Sequence, residues 1–317
     1  MSFFSPMFGL MYFSSFLMVL GGDSWFLLWV GLEINMISFI LLVYGKKISS
    51  IEVCLKYFFI QGLGSAVLLM VMILKGKFLS EIVLLILSYK MGAGPFFFWF
   101  PSFCEGISWY SCILVMSLQK VVPLLFAGMF MCMFVWSLLL LSMMIGVMGC
   151  FSEVKLKKFF AFSSVHYVGW MFLCVGVDMY LWMLYLLGYT LILMGVLMSV
   201  GFNENIFLSD VMKMKSPGLF IFSMLNIGGM PPMLGFFLKW WVFLKVLDFS
   251  VGIVWIIVIF AVLMFYIYMR LVYSILLNLS YMPYFSLRKM KHMIKGGKEW
   301  LYMVAMIFSP VLGWALL

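Results

Sequence analysis

Apolar runs of about 20 residues, the length of helix that crosses a bilayer, recur from one end of this sequence to the other. Hydrocarbon offers no water to pair a bare N–H or C=O, so runs of this kind are satisfied by folding into helices. Composition agrees with that constraint. The chain is 67% hydrophobic and only 10% charged over 317 residues, whereas soluble domains are about half apolar. Met1 to Leu20 lacks a basic start and an evident small-residue cleavage site, and reads as a first spanning helix.

Expected crossings fall at roughly 3–20, 25–44, 53–74, 78–103, 107–129, 131–149, 157–176, 179–201, 217–247, 251–276 and 299–316, about eleven in all. Glycine and proline interrupt two of them, at Gly92-Ala93-Gly94-Pro95 and at Gly228-Gly229-Met230-Pro231-Pro232. Paired interruptions in the two halves of a chain point to an inverted-repeat architecture of transporter type. The expected fold is therefore an all-α polytopic membrane protein with two broken helices. It forms a single domain over 1–317, with a first repeat at about 1–129, a second at about 131–276 and a C-terminal helix at about 299–316. The boundary near Gly128 between the fifth and sixth spans is weakly marked.

The formal charge of +9 does not imply nucleic acid, because the basic residues lie in short loops. With eleven crossings, Lys46, Lys47, Lys155, Lys157, Lys158, Lys213, Lys215 and the 288–298 cluster share the N-terminal side, opposite Lys75 and Lys77. The positive-inside rule then puts the N-terminus inside and the C-terminus outside. The 288–298 cluster is most simply an inside anchor, with anionic lipid such as cardiolipin as a further partner. Six cysteines without a C-x-x-C pair, and two histidines, give no zinc, haem or iron–sulfur spacing. No phosphate-binding glycine loop or nucleophile triad is present either. The expectation is a chain that binds no metal or cofactor, with any redox chemistry elsewhere.

Against this background the ionisable residues inside apolar runs carry the chemistry, since a charge in hydrocarbon is expensive and usually serves a pathway. Glu33 lies about nine residues into the second span, either solvated near the interface or paired with a lysine of a neighbouring helix, with Asn35 at hand to solvate the pair. Lys90 precedes Gly92 and Pro95. It reads as snorkelling at a helix end or, because apolar sequence continues through Phe100, as mid-span. Lys120 is flanked by apolar sequence on both sides, with Ser117 and Gln119 as polar neighbours and Pro123 loosening the local ladder. A lysine stripped of water loses part of its preference for being charged, which makes its proton exchangeable. Lys239 follows the prolines Pro231 and Pro232 and precedes Trp240 and Trp241, so it is either an interfacial lysine in an aromatic belt or part of a pathway. His166, near Ser163 and Ser164, packs against a hydroxyl or relays a proton. Lys56 and Arg270 sit near span ends, where snorkelling is the default, and Gly62-Leu63-Gly64 reads as helix packing.

Six segments appear in order: Trp29-Val30-Gly31-Leu32-Glu33-Ile34-Asn35, Lys56–Gln61, Lys90–Pro101, Gln119–Pro123, Lys157–Trp170 and Gly228–Trp240. Over about residues 1–245 their order and spacing resemble the NADH–ubiquinone oxidoreductase chain 2 family, the antiporter-like membrane subunits of respiratory complex I. The resemblance implies an antiporter fold, and membership of the NADH:ubiquinone reductase complex as a proton-translocating subunit of its membrane arm. It implies the other membrane-arm subunits as partners, and the mitochondrial inner membrane as location, with the N-terminus in the matrix and the C-terminus in the intermembrane space. Eleven spans fit the shortened animal form of the family. By position Glu33 and Lys90 become the coupled carboxylate–lysine pair, Lys120 the central lysine and Lys239 the lysine of the second broken helix. Two positions depart from the pattern: Phe97 stands where the family usually has histidine, and Ser102 where it has an acid, with Glu105 the nearest acid able to take its place. A stand-alone cation/proton antiporter and a non-pumping scaffold use the same features and remain open at this point.

Overall fold

The computed structural model describes residues 5–22, 24–45, 48–74, 76, 78–178, 180–201, 207–208, 216–247, 251–280 and 302–307. These are almost entirely helical, apart from short turns and an isolated bridge between Lys155 and Phe207. The helices are α1 (Ser5–Leu20), α2 (Trp25–Val43), α3 (Ile48–Leu74), α4 (Leu79–Met91), α5 (Trp99–Gly106), α6 (Trp109–Met116) and α7 (Val121–Met129). They continue with α8 (Phe134–Ser152), α9 (Leu156–Val177), α10 (Leu181–Val200), α11 (Pro217–Gly228), α12 (Leu234–Leu247) and α13 (Val251–Ser280).

Local chemistry sets these boundaries. Ser24 accepts the Leu27 N–H at 3.3 Å and so caps the start of α2. Pro217 opens α11, where a missing N–H leaves no bond unmade. Serines survive inside apolar helices by donating back to a carbonyl one turn earlier, as Ser38 does to Asn35, Ser142 to Leu139 and Ser223 to Phe220.

Eight stretches among the described residues are long and apolar enough to cross a membrane, counting Leu79–Phe96 and Trp109–Met129 as one each. With the shorter α1 and the broken pair α11–α12 they account for ten of the eleven expected crossings. The eleventh, 299–316, lies outside the described residues except for 302–307, and so do most of the loop cations used for the orientation. The third span starts at Ile48, five residues earlier than expected. The weak boundary near Gly128 is real: α7 ends at Met129 and α8 begins at Phe134.

Both expected breaks are present, and a third accompanies them. The first span to break is closed at α4 by Gly92, with φ +64°, where the Ala93 N–H reaches Ser88 O at 2.9 Å and the Gly92 N–H reaches Tyr89 O at 3.1 Å. The α11 end repeats the same motif: Gly229 has φ +87°, Met230 N–H reaches Leu225 O at 3.1 Å and Gly229 N–H reaches Asn226 O at 3.1 Å. Glycine is required at both points because a left-handed residue with a side chain is strained there. The third break is a 3-10 turn, Leu118–Lys120, between α6 and α7. Pro123 belongs to the first turn of α7, where its lack of an N–H is tolerated, so the interruption falls upstream of it and takes in Lys120 itself.

The chain divides into two compact units, residues 1–146 with 161–176, and residues 147–160 with 177–317. The first holds residues 161–176 of α9, all but the last of them buried. Gly146 and Gly169 let α9 approach α8 so closely that a Cβ on either would strike His166 or Met143 at 2.6 Å. In the second, Tyr302 donates to the Leu191 carbonyl at 2.6 Å, in space left open by Gly195.

Candidate functional site

The lysines are buried, which decides against snorkelling. Lys90 is 6% exposed, Lys120 2% and Lys239 7%. Lys90 and Lys120 lie at helix ends beside a break, and Lys239 reaches back to carbonyls that a break leaves open.

Lys90 is in the last turn of α4. Its side chain lies against Gly64 of α3, where a Cβ would come within 3.1 Å of Lys90 Cγ and 3.2 Å of Cε. Its own carbonyl, left over by the Gly92 turn, accepts from Gln61 Nε2 at 2.9 Å. Trp99 Nε1 donates to the preceding carbonyl, Tyr89 O, at 3.1 Å. Glu33 is half-buried on α2, and no ion-pair contact joins it to Lys90. Asn35 does not solvate this pair, contrary to expectation. Two residues along a helix turn the side chain well away from Glu33, and Asn35 Nδ2 donates to Ser15 Oγ on α1 at 3.1 Å.

Lys120 ends the 3-10 turn and reaches α9. Its Nζ donates to Ser164 O at 3.0 Å and lies 5.5 Å from the centroid of the Phe100 ring. The neighbours expected to serve it are engaged elsewhere. Ser117 Oγ donates to Ile113 O at 2.6 Å. Gln119 accepts from Tyr12 OH at 2.9 Å through Oε1 and donates to Tyr57 OH at 2.8 Å through Nε2. The residue type at 164 gives no hint of this contact, because the acceptor is main chain.

His166 is met by Met143 O at 3.4 Å on Nδ1 and by the Trp170 indole on Nε2 at 3.1 Å. An indole N–H can only donate, so Nε2 accepts and the ring proton sits on Nδ1: a neutral imidazole. The hydroxyl of the neighbouring Ser164 does not fill this role, because its Oγ turns back to Ala161 O.

Lys239, on the second turn of α12, donates to Gly228 O at 2.8 Å and Ile227 O at 3.2 Å. These are carbonyls that the Gly229 turn leaves open, so a cation caps the negative end of half-helix α11. In return, Asn226 Oδ1 of α11 accepts the Gly235 N–H of the first turn of α12 at 2.8 Å. Asn226 is not among the residues singled out from the sequence, although an asparagine three residues before a Gly-Met-Pro-Pro break is a visible signal. Pro95 lies in a 3-10 turn after the first break, and Pro231–Pro232, joined by a cis peptide, occupy the second.

At the departures from the expected pattern, Phe97 packs against Phe98 at 4.2 Å and Phe162 at 5.9 Å between ring centroids, and Glu105 lies half-buried in α5. Of the two cations expected to snorkel, Lys56 pairs with Glu52 at 2.6 Å on the exposed face of α3, and Arg270 lies over the Phe151 ring at 5.4 Å.

Known proteins share this architecture. The family model described as NADH:quinone oxidoreductase/Mrp antiporter, TM, matches residues 22–265. NADH-ubiquinone oxidoreductase chain 2 of Anopheles gambiae is 34% identical over 279 residues, 82% of each chain. That of Lemur catta is 32% identical over 303 residues, 87% of this chain and 86% of the relative. Among solved structures, a chain of respiratory complex I from Thermus thermophilus superposes with a TM-score of 0.77 at 20% identity, over 99% of this chain and 78% of that one. A chain of the Mrp complex from Dietzia gives 0.72 at 16% identity, over 84% of this chain and 59% of that one.

Proposed function

This chain belongs to the NADH:quinone oxidoreductase/Mrp antiporter transmembrane family, and we propose that it carries protons through the membrane arm of respiratory complex I by way of Glu33, Lys90, Lys120 and Lys239. The observation that carries the reading is that three of the four buried lysines among the described residues, Lys90, Lys120 and Lys239, lie at or beside helix breaks, two of them donating to main-chain carbonyls. Charges inside an apolar chain are expensive and usually mark a pathway.

The mechanism needs no bond-making site in this chain. Electron transfer from NADH to ubiquinone takes place elsewhere in the complex, and this chain binds no redox cofactor. A change in the charge of Glu33 alters the field at Lys90, since charges in a low-dielectric interior act on each other without direct contact. Moving Lys90 between charged and neutral forms then biases Lys120, and Lys239 exchanges its proton with the outer side or passes its charge to an adjacent subunit. Such coupled groups titrate as a set and shift as a population. A lysine held by a neutral main-chain carbonyl, as Lys120 is by Ser164 O, can release its proton without leaving an oppositely charged hydrogen-bond partner behind. His166 joins the path once Trp170 frees its Nε2.

Phe97 replaces the family histidine with an aromatic cluster, so proton access in this chain does not use a titratable group at that position. The repeated turn chemistry at Gly92 and Gly229 supports two repeats, about 1–129 and about 131–276. The location is the mitochondrial inner membrane, with the N-terminus in the matrix and the C-terminus in the intermembrane space. Other membrane-arm subunits are the partners, and anionic lipid such as cardiolipin meets the basic 288–298 segment.

Lys120→Met in the assembled complex tests the function. The expected result is normal co-migration with NADH dehydrogenase activity on a native gel and loss of most proton pumping. Full pumping in that variant would leave a scaffold role. Cation transport by the purified single chain would favour a stand-alone antiporter.

A further inference from the structure

One face of α3 touches both lysine-bearing breaks of the first compact unit. Tyr57, Gln61 and Gly64 are spaced four and three residues apart, so they line a single stripe of that helix. At one end of the stripe, Tyr57 OH accepts from Gln119, the residue beside Lys120 in the 3-10 turn, at 2.8 Å. At the other end, Gln61 caps the Lys90 carbonyl at 2.9 Å, and Gly64 leaves the space that the Lys90 side chain fills. Tyr57 is 1% exposed and its ring stacks on Phe103 at 4.7 Å and meets Trp99 at 6.0 Å, both on α5, the helix that resumes after the first break. Trp99 in turn holds the Tyr89 carbonyl next to Lys90.

We propose that the Tyr57–Gln61–Gly64 face of α3 is a positioning rail that couples the Lys90 break to the Lys120 break. The physical reason is stiffness. A break has lost its own hydrogen-bond ladder, so its geometry is set by whatever supplies the missing partners. Here one unbroken helix reaches both: Gln61 supplies a partner to the open Lys90 carbonyl, and Tyr57 holds the Gln119 side chain next to Lys120, through a neutral amide and a phenol that carry no charge of their own. A shift of α3 moves the two supports together, and a rearrangement at one break strains the other through packed side chains, which do not deform continuously. The second contact of Gln119, with Tyr12 of α1, holds the far side of its amide, so the carboxamide cannot follow Tyr57 without giving up a bond to α1.

The functional weight of this face rests on the proton-path reading of Lys90 and Lys120; its mechanical part does not. The test therefore reads structure and pumping separately, in the assembled complex. Gln61→Met removes the cap on Lys90 with little change of shape, and Tyr57→Phe removes a single oxygen. Amide hydrogen exchange is followed by mass spectrometry in 88–93 and 117–121. The rail predicts that each substitution speeds exchange at the distant break as well as the near one. It also predicts that both lower the protons moved per NADH oxidised while assembly is preserved. Loosening confined to the near break in both variants overturns the proposal. If Gln61→Met fails to assemble, Gly64→Ala pushes on Lys90 from the same stripe and must likewise be felt at 117–121. Lys120→Met with full pumping would sink the proton-path reading while leaving the exchange pattern unchanged, so the two failures are distinguishable.

Discussion

Lys120 and Phe100 form a cation–π pair, Nζ 5.5 Å from the ring centroid, in a site where both are almost completely buried. Phe100 also closes the first break from the other side, since a Cβ on Gly92 would lie 2.6 Å from Phe100 Cβ. The same side chain thus abuts the turn after Lys90 and supports the ammonium of Lys120. A desolvated pair of this kind is worth roughly 2 kcal/mol. Phe100→Leu retains an apolar side chain and loses the π face. It should assemble, with pumping slowed, measured as acidification of liposomes holding the purified complex. Unchanged pumping would show that the ring is only packing.

Lys239 does two jobs that can be separated. Its ammonium caps Gly228 O and Ile227 O, and its charge belongs to the proposed path. Lys239→Met leaves both carbonyls in an apolar interior, at about 1–3 kcal/mol for an unsatisfied buried group. Lys239→Gln restores a donor without a charge. Both variants should lose pumping, and the glutamine variant should withstand heat better, read from the loss of native-gel mobility with temperature. Equal thermal loss in the two would mean that capping contributes nothing.

The spans and two of the breaks are legible in the sequence because they depend on local chemistry: run length, the glycine and proline clusters at 92–95 and 231–232, and charges out of place. Lys120 is legible as an anomaly, but its break is not, because Pro123 marks the start of α7 and not the site of rupture. The partners are hidden for a different reason. Which helix faces which is a matter of rotation and crossing, so proximity in sequence pairs Asn35 with Glu33, whereas its partner is Ser15 of α1. In the same way it pairs Gln119 with Lys120, whereas the amide serves Tyr12 and Tyr57. Acceptors such as Ser164 O and Gly228 O are main chain, and no residue type announces them.

Glycines that look alike in sequence differ sharply in what surrounds them. A Cβ on Gly235 would overlap the Asn226 carbonyl oxygen, and the Gly235 N–H is held by the side chain of the same asparagine. Gly62, by contrast, has nothing within 4 Å of the point where a Cβ would stand, so its place in Gly62-Leu63-Gly64 is not a close contact, whereas Gly64 meets Lys90. Gly235→Ala should separate α11 from α12 at a cost of about 3 kcal/mol and reduce the amount of assembled complex. Gly62→Ala should be neutral or slightly stabilising, by up to about 1 kcal/mol. Quantifying assembled complex on native gels tests both, and equal yields of the two variants would contradict the close approach at Gly235.

Trp170 decides what His166 can do. While the indole donates to Nε2, both ring nitrogens are occupied and the imidazole has no free site for a second proton. A proton can reach His166 only when that bond opens, which makes Trp170 the residue that admits His166 to the path or keeps it out. Trp170→Phe removes the donor, leaves Nε2 as an acceptor in an apolar interior and should lower stability by about 1–3 kcal/mol. If His166 relays protons, the substitution also changes the protons pumped per NADH in complexes that do assemble, and His166→Phe abolishes the difference. Loss of stability with pumping per complex unchanged would reduce His166 to a packing residue, held in place by Met143 and Trp170.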